Sequence, residues 1–156
     1  MTIKVVTDSS ADLPPKLAEE LGIEVVPLYV RFGEEVYRDR VDISEDEFYQ
    51  RLLRDPVHPS TTQPTPQDFA SVYQKLSKEA DGIISIHLSG KLSGTCDSAL
   101  QGKEMLAKSC PIEVVDSRVI TMGLGLLAIE AANMSRSKKS LPEVVAEVKK
   151  IMPSIH

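Results

Sequence analysis

Short apolar runs separated by stretches of helical character constrain this chain's fold more than any other feature. Residues 3–6 (Ile-Lys-Val-Val), 82–87 and 112–115 read as strands. Between them lie segments with the marks of helix starts and stops. Pro14 and good helix formers run to Leu21, and Gly22 suits the stop. Ser44-Glu45-Asp46-Glu47 is a capping box ahead of Phe48, Leu52 and Leu53, and Pro56 ends that helix. Pro66-Gln67-Asp68 opens a helix whose Phe69, Val72, Tyr73 and Leu76 repeat at helical spacing. Ser93 or a near neighbour starts another toward Leu106, a long helix runs from about Arg118 to Met134, and Ser140-Leu141-Pro142-Glu143 caps the last. Residues 24–32 alternate around a second strand, and Gly33-Glu34 turns it into a hairpin with Val36-Tyr37-Arg38. Strands alternating with helices imply a three-layer α/β/α fold around a mainly parallel sheet of about four or five strands. The 156 residues, 42% of them hydrophobic, suit one such domain.

Charge and cysteine content narrow the function. Acidic residues outnumber basic ones 23 to 18, a net charge of −5 that argues against a nucleic-acid partner. Lys138-Lys139 and Lys149-Lys150 read as solvated helix faces. Cys96 and Cys110 lack both the close spacing of a metal knuckle and the density of a secreted disulfide scaffold, which points to a reducing cytoplasm. Met1-Thr2-Ile3-Lys4-Val5-Val6 runs straight into a strand without the apolar core of an export signal. The most apolar helix, residues 119–129, falls short of the ~20 residues that span a bilayer.

In open α/β sheets, ligands sit beyond the C-terminal ends of the strands. Thr7-Asp8-Ser9-Ser10-Ala11-Asp12, the loop after His87, and Asp116-Ser117 all leave such ends. Two hydroxyl-rich loops stand out, Ser60-Thr61-Thr62-Gln63-Pro64 and Ser89-Gly90-Lys91-Leu92-Ser93-Gly94-Thr95, each just before a helix start. Their hydroxyls and the free N–H groups of the first helical turn together favour a carboxylate or phosphate. Gly94 lets a ligand approach the backbone, and Pro59, Pro64 and Pro66 restrain the first loop. The same hydroxyls are also ordinary helix caps.

Other chemistries fit less well. Ser93 as a nucleophile needs a base, which His87 or His58 could supply with Asp8 or Asp116 as orienter. Yet Gly90-Lys91-Leu92-Ser93-Gly94 has one residue too many for the Gly-x-Ser-x-Gly elbow, and Gly90-Lys91 lacks the rest of a phosphate-binding P-loop. Asp8, Asp12, Asp39, Asp42 and Asp116 show no diagnostic metal-ligand spacing. A carboxylate beside an anion site would oppose the ligand's charge, so Asp8 and Asp116 are expected to orient loops through hydrogen bonds.

Four islands, Thr7-Asp8-Ser9-Ser10-Ala11-Asp12-Leu13, Ser60-Thr61-Thr62-Gln63-Pro64-Thr65, Leu88-Ser89-Gly90-Lys91-Leu92-Ser93-Gly94-Thr95 and Asp116-Ser117, resemble the DegV family in order and spacing. That family includes the fatty-acid-binding B subunits of bacterial fatty-acid kinase. Thr62 stands where the family commonly has Ser before Gln-Pro, and it retains the hydroxyl. The resemblance implies a DegV-like N-terminal α/β domain over residues 1–156, with the family's usual second domain absent. It implies that Thr61, Thr62, Ser93, Gly94 and Thr95 hold a long-chain fatty-acid carboxylate, with Asp8, Ser9, Ser10, Asp116 and Ser117 in supporting loops. A kinase A subunit would phosphorylate the bound acid. This chain would then be a carrier without a cofactor or catalysis of its own, not an integral membrane protein, and making at most transient membrane contact. A small anion or phosphometabolite binder on the same helix termini is the alternative, and a serine hydrolase the third class.

Overall fold

The computed structural model describes residues 2–106 and 110–155. Strand β1 (Ile3–Asp8) passes through a 3-10 turn at Ser9–Ala11 into helix α1 (Pro15–Leu21), and β2 (Ile23–Val26) follows. A hairpin of β3 (Tyr29–Phe32) and β4 (Glu35–Arg38) precedes α2 (Glu45–Arg54), and β5 (Ser60–Thr62) precedes α3 (Pro66–Leu76). Then come β6 (Gly82–His87), α4 (Thr95–Glu104), β7 (Ile112–Asp116), α5 (Met122–Arg136) and α6 (Leu141–Ile151).

Four strands form a parallel sheet in the order β2-β1-β6-β7. Side chains alternate across it, so each strand feeds two cores. Ile3, Val5, Ile84 and Ile86 pack with Leu124, Leu127 and Ala128 of α5 and Val144 and Val148 of α6. Val6, Ile83 and Ile112 pack on the other face with Phe69, Tyr73 and Leu76 of α3 and Ala99 of α4. Helices therefore cover both faces, giving the three layers. Burying a side chain such as Phe69 contributes about 1.5–3 kcal/mol.

Of the expected caps, Ser140/Glu143 makes a reciprocal box at α6, while at α2 Ser44 Oγ accepts from the Glu47 amide without a return bond from Glu47 among the described residues; Thr65/Asp68 makes a further reciprocal box at α3. Gly22 closes α1 at φ 69°, a left-handed conformation that costs glycine little.

Three boundaries differ from expectation. Residues 24–32 are two strands in different sheets, because Pro27 interrupts the ladder and the Leu28 amide donates to Ser9 Oγ (3.0 Å). Residues 60–62 are not a loop but strand β5, antiparallel to β3 with Thr61 opposite Val30, so that β4-β3-β5 forms a second, three-stranded sheet. Helix α5 starts at Met122 rather than near Arg118. Asp116 Oδ1 accepts from the Arg118 amide (2.9 Å) and Ser117 Oγ from that of Val119 (3.2 Å), turning the backbone away from helix, with φ at 61° for Arg118 and 57° for Thr121.

The small sheet rests on a modest core of Val30, Phe32 and Ile43 with Tyr37 and Phe48 against it. No residue of α2 is buried. The Arg51 guanidinium lies 4.1 Å from the Phe32 ring centroid and pairs with Glu35 and Asp55, each at 2.7 Å.

Candidate ligand-binding cleft

The two sheets meet beyond the C-terminal ends of β1 and β6, enclosing a cleft of about 550 Å³. Ser9 and Ser10 reach it from the turn after β1, Thr61, Thr62 and Gln63 from β5 and its exit, and Ser93 and Gly94 from the turn before α4. Leu28, Val30, Leu88, Leu92 and Ile120 supply apolar wall. The cleft is thus part hydroxyl-lined and part greasy. Pairing of β5 with β3 is what carries Thr61 and Thr62 to the sheet end where Ser93 waits.

Six of the residues singled out in the sequence converge here: Ser9, Ser10, Thr61, Thr62, Ser93 and Gly94. Four others stand back. Thr95 is fully buried, its hydroxyl 2.9 Å from that of Ser93. Asp8 is buried beneath the floor. Asp116 and Ser117 line a neighbouring cleft with Val119 and Met152. Asp116 holds the loops together from there, accepting from the Gly90 amide (3.2 Å) as well as from Arg118. Gly94 sits under Gln63: a β-carbon at Gly94 would lie 2.6 Å from Gln63 Nε2. Its bareness lets the carboxamide close over the Ser93 turn.

Carboxylates also line the cleft: Asp12 and Asp39 are among its residues, and Asp12 pairs with Arg40 (3.0 Å). Burial, Asp39 and Glu45 together raise the Asp12 pKa despite the opposing charge of Arg40. The positive end of the α4 dipole, at Gly94, favours negative charge beside Ser93.

His87 does not activate Ser93. Its Nδ1 lies 2.9 Å from Asp8 Oδ2 and its Nε2 2.6 Å from Ser85 Oγ, which also accepts from the Tyr73 hydroxyl (2.8 Å). Ser85, His87 and Asp8 are all fully buried, so this Ser-His-Asp file offers no reachable nucleophile. Ser93 Oγ is engaged by Thr95, and His58 is exposed. Burial alone would raise the Asp8 pKa, but hydrogen bonds from His87, Ser10 and Leu88 and the attraction of the imidazole outweigh it and lower the net value.

Sequence alone does not single out Ser85, the polar role of Tyr73, or the apolar wall at Leu28, Val30 and Ile120. One signal was available: Ser85 and His87 are two apart in an otherwise apolar strand, so they share a face.

Among the described residues, no helix is long and apolar enough to cross a membrane, and no group of three or more His, Cys, Asp or Glu is placed to hold a metal ion. A second groove of about 500 Å³ lies at the opposite end of the sheet, lined by Ile3, Pro111, Leu141 and Val145 among others. It lacks the paired hydroxyl loops.

Fold and cleft define an α/β/α domain with a half-polar, half-apolar pocket at its strand ends. The chain belongs to the DegV family, whose model, described as that of uncharacterised proteins, matches residues 2–156. A DegV domain-containing protein of Caldanaerobacter subterraneus is 42% identical over 153 residues, 98% of this chain and 54% of that protein. A solved structure described as fatty acid binding of a DegV family protein from Thermus thermophilus superposes with a TM-score of 0.88 at 38% identity. DegV from Bacillus subtilis, described as a fatty acid binding protein, superposes with a TM-score of 0.90 at 33% identity. In both structural matches, 98% of this chain and 54% of the other are covered. The chain thus spans about half the length of these relatives.

Proposed function

We propose that this chain binds a long-chain fatty acid, holding the carboxylate at Thr61, Thr62, Ser93 and Gly94 and laying the start of the tail along Leu28, Val30, Leu88, Leu92 and Ile120. The observation that carries this reading is the meeting of two hydroxyl loops with an apolar wall in one cleft. Each methylene buried contributes about 0.8 kcal/mol, so the tail supplies affinity and the hydroxyls supply orientation. The fatty-acid-binding relatives support the ligand class. The engagement of His87 by Asp8 and Ser85, and of Ser93 Oγ by Thr95, supports a carrier that presents its cargo to a kinase A subunit rather than transforming it. The two free cysteines suit a reducing cytoplasm.

The test is a binding titration with oleate and, in parallel, hexanoate. Thr61→Val with Ser93→Ala should weaken oleate binding about tenfold or more while the melting temperature stays within a few degrees. Unchanged oleate affinity in the double variant contradicts the assignment. Hexanoate competing as well as oleate would replace it with a small-anion site.

A further inference from the structure

Tyr73, Ser85, His87 and Asp8 form an unbroken file of hydrogen bonds from α3, through β6, to the end of β1. The far end is deep core. The near end is cleft wall, because Asp8 Oδ1 accepts from the amide (3.1 Å) and hydroxyl of Ser10, while Oδ2 accepts from the Leu88 amide (3.1 Å). Ser10 and Leu88 both line the cleft, from different loops. One carboxylate therefore joins the turn after β1 to the loop after β6.

The proton inventory gives the file a direction. Tyr73 donates to Ser85 Oγ, Ser85 has one proton of its own, and His87 Nε2 is 2.6 Å away to receive it. Nδ1 then carries the imidazole proton toward Asp8. Every donor has an acceptor, and all point at the carboxylate. His87 meets Asp8 on β1, stands opposite Asp116 in register on β7 and has the Phe69 ring edge-on at 4.9 Å, while Tyr73 on α3 reaches it through Ser85 and Cys96 on α4 lies against the neighbouring Leu88 carbonyl. Burial, with smaller contributions from Asp116, Asp8 and Asp97, pushes the Cys96 thiol up to about 12, and burial also raises Tyr73. Both stay protonated, and the phenol keeps its place as first donor.

We propose that His87 is a positioning residue for the cleft: through Asp8 it fixes the Ser10 turn and the Leu88 loop as one wall, setting the grip on a ligand that it never touches. Where the ligand is named, this rests on the fatty-acid reading. Loop fixation itself does not.

The test compares the protein with its His87→Leu and His87→Asn variants, the second keeping a donor near the place of Nδ1. His87→Leu should shift the Ser10 and Leu88 amide resonances and weaken oleate binding about tenfold, and His87→Asn should bring both back to within about threefold of the parent. Unmoved resonances with unchanged affinity in His87→Leu overturn the proposal, as does a loss that His87→Asn fails to recover. Should the parent not bind oleate, the fatty-acid reading falls, and the two amide resonances still decide the positioning claim. Should His87→Leu not fold, nitrogen spectra of the parent decide it: an imidazole protonated at Nδ1 and bare at Nε2 supports the file, and a proton on Nε2 overturns it.

Discussion

The two walls of the cleft are built in opposite ways. On the parallel-sheet side every residue of β6 is buried, Ser10 and Leu88 are tied to a buried carboxylate, and Ser93 is tied to Thr95. On the small-sheet side β5 is exposed along its length, and the Thr61 and Thr62 side chains take no hydrogen-bond partner among the described residues. One wall arrives pre-shaped. The other leaves its hydroxyls open, so under the proposed reading the ordering costs of binding fall on β5 and its neighbours. The energetics follow the same division, with two apolar cores behind the first wall and three buried side chains plus a surface arginine behind the second.

The largest expected effect probes that division in stability. Phe69→Ala removes a fully buried ring between α3 and the sheet and should cost about 3–5 kcal/mol in urea unfolding. Phe32→Ala in the small sheet should cost about 2 kcal/mol, because its cover from α2 is only the partly buried Phe48 ring and the Arg51 guanidinium. Equal losses would erase the contrast.

Next comes the pre-shaped wall itself. Asp8→Asn leaves an amide where four donors converge and should cost about 2 kcal/mol. The native Asp8 pKa lies below the ordinary aspartate value of about 3.9. Its contribution is therefore fully present above that value and lost as pH falls through the lower native one. Urea midpoints measured from neutral pH into acid should fall more steeply for the parent than for Asp8→Asn. Parallel acid limbs would show that the carboxylate does not hold the wall. The smallest effect belongs to Arg51→Met, which gives up partly exposed ion pairs while keeping an apolar cover on Phe32, and should change stability by less than about 1 kcal/mol. A larger loss would mean that the small sheet depends on its charges more than on its core.

Local signals made the parallel sheet readable: three apolar runs, cap sequences at Ser44 and Ser140, Pro66 at the start of α3, and a glycine stop at Gly22. What escaped depends on partners distant in sequence. Residues 60–62 become a strand only because β3 lies beside them, and β3 is free for them only because Pro27 parts it from β2. Arg118 leaves the helical pattern because Asp116 and Ser117 capture the following amides, a competition that apolar periodicity does not register. The hydroxyl loops were legible and were expected to share one ligand, but spacing alone could not bring them together, and the file from Tyr73 to Asp8 exists only through tertiary structure.

The most direct measurement of the central claim is a map of backbone amide shifts as oleate is added to the protein. Shifts concentrated at Thr61, Thr62, Ser93 and Gly94, with Ile3, Leu141 and Val145 still, are the predicted result. Shifts confined to the groove at Ile3, Leu141 and Val145, or none anywhere, would contradict a carboxylate held between the two hydroxyl loops.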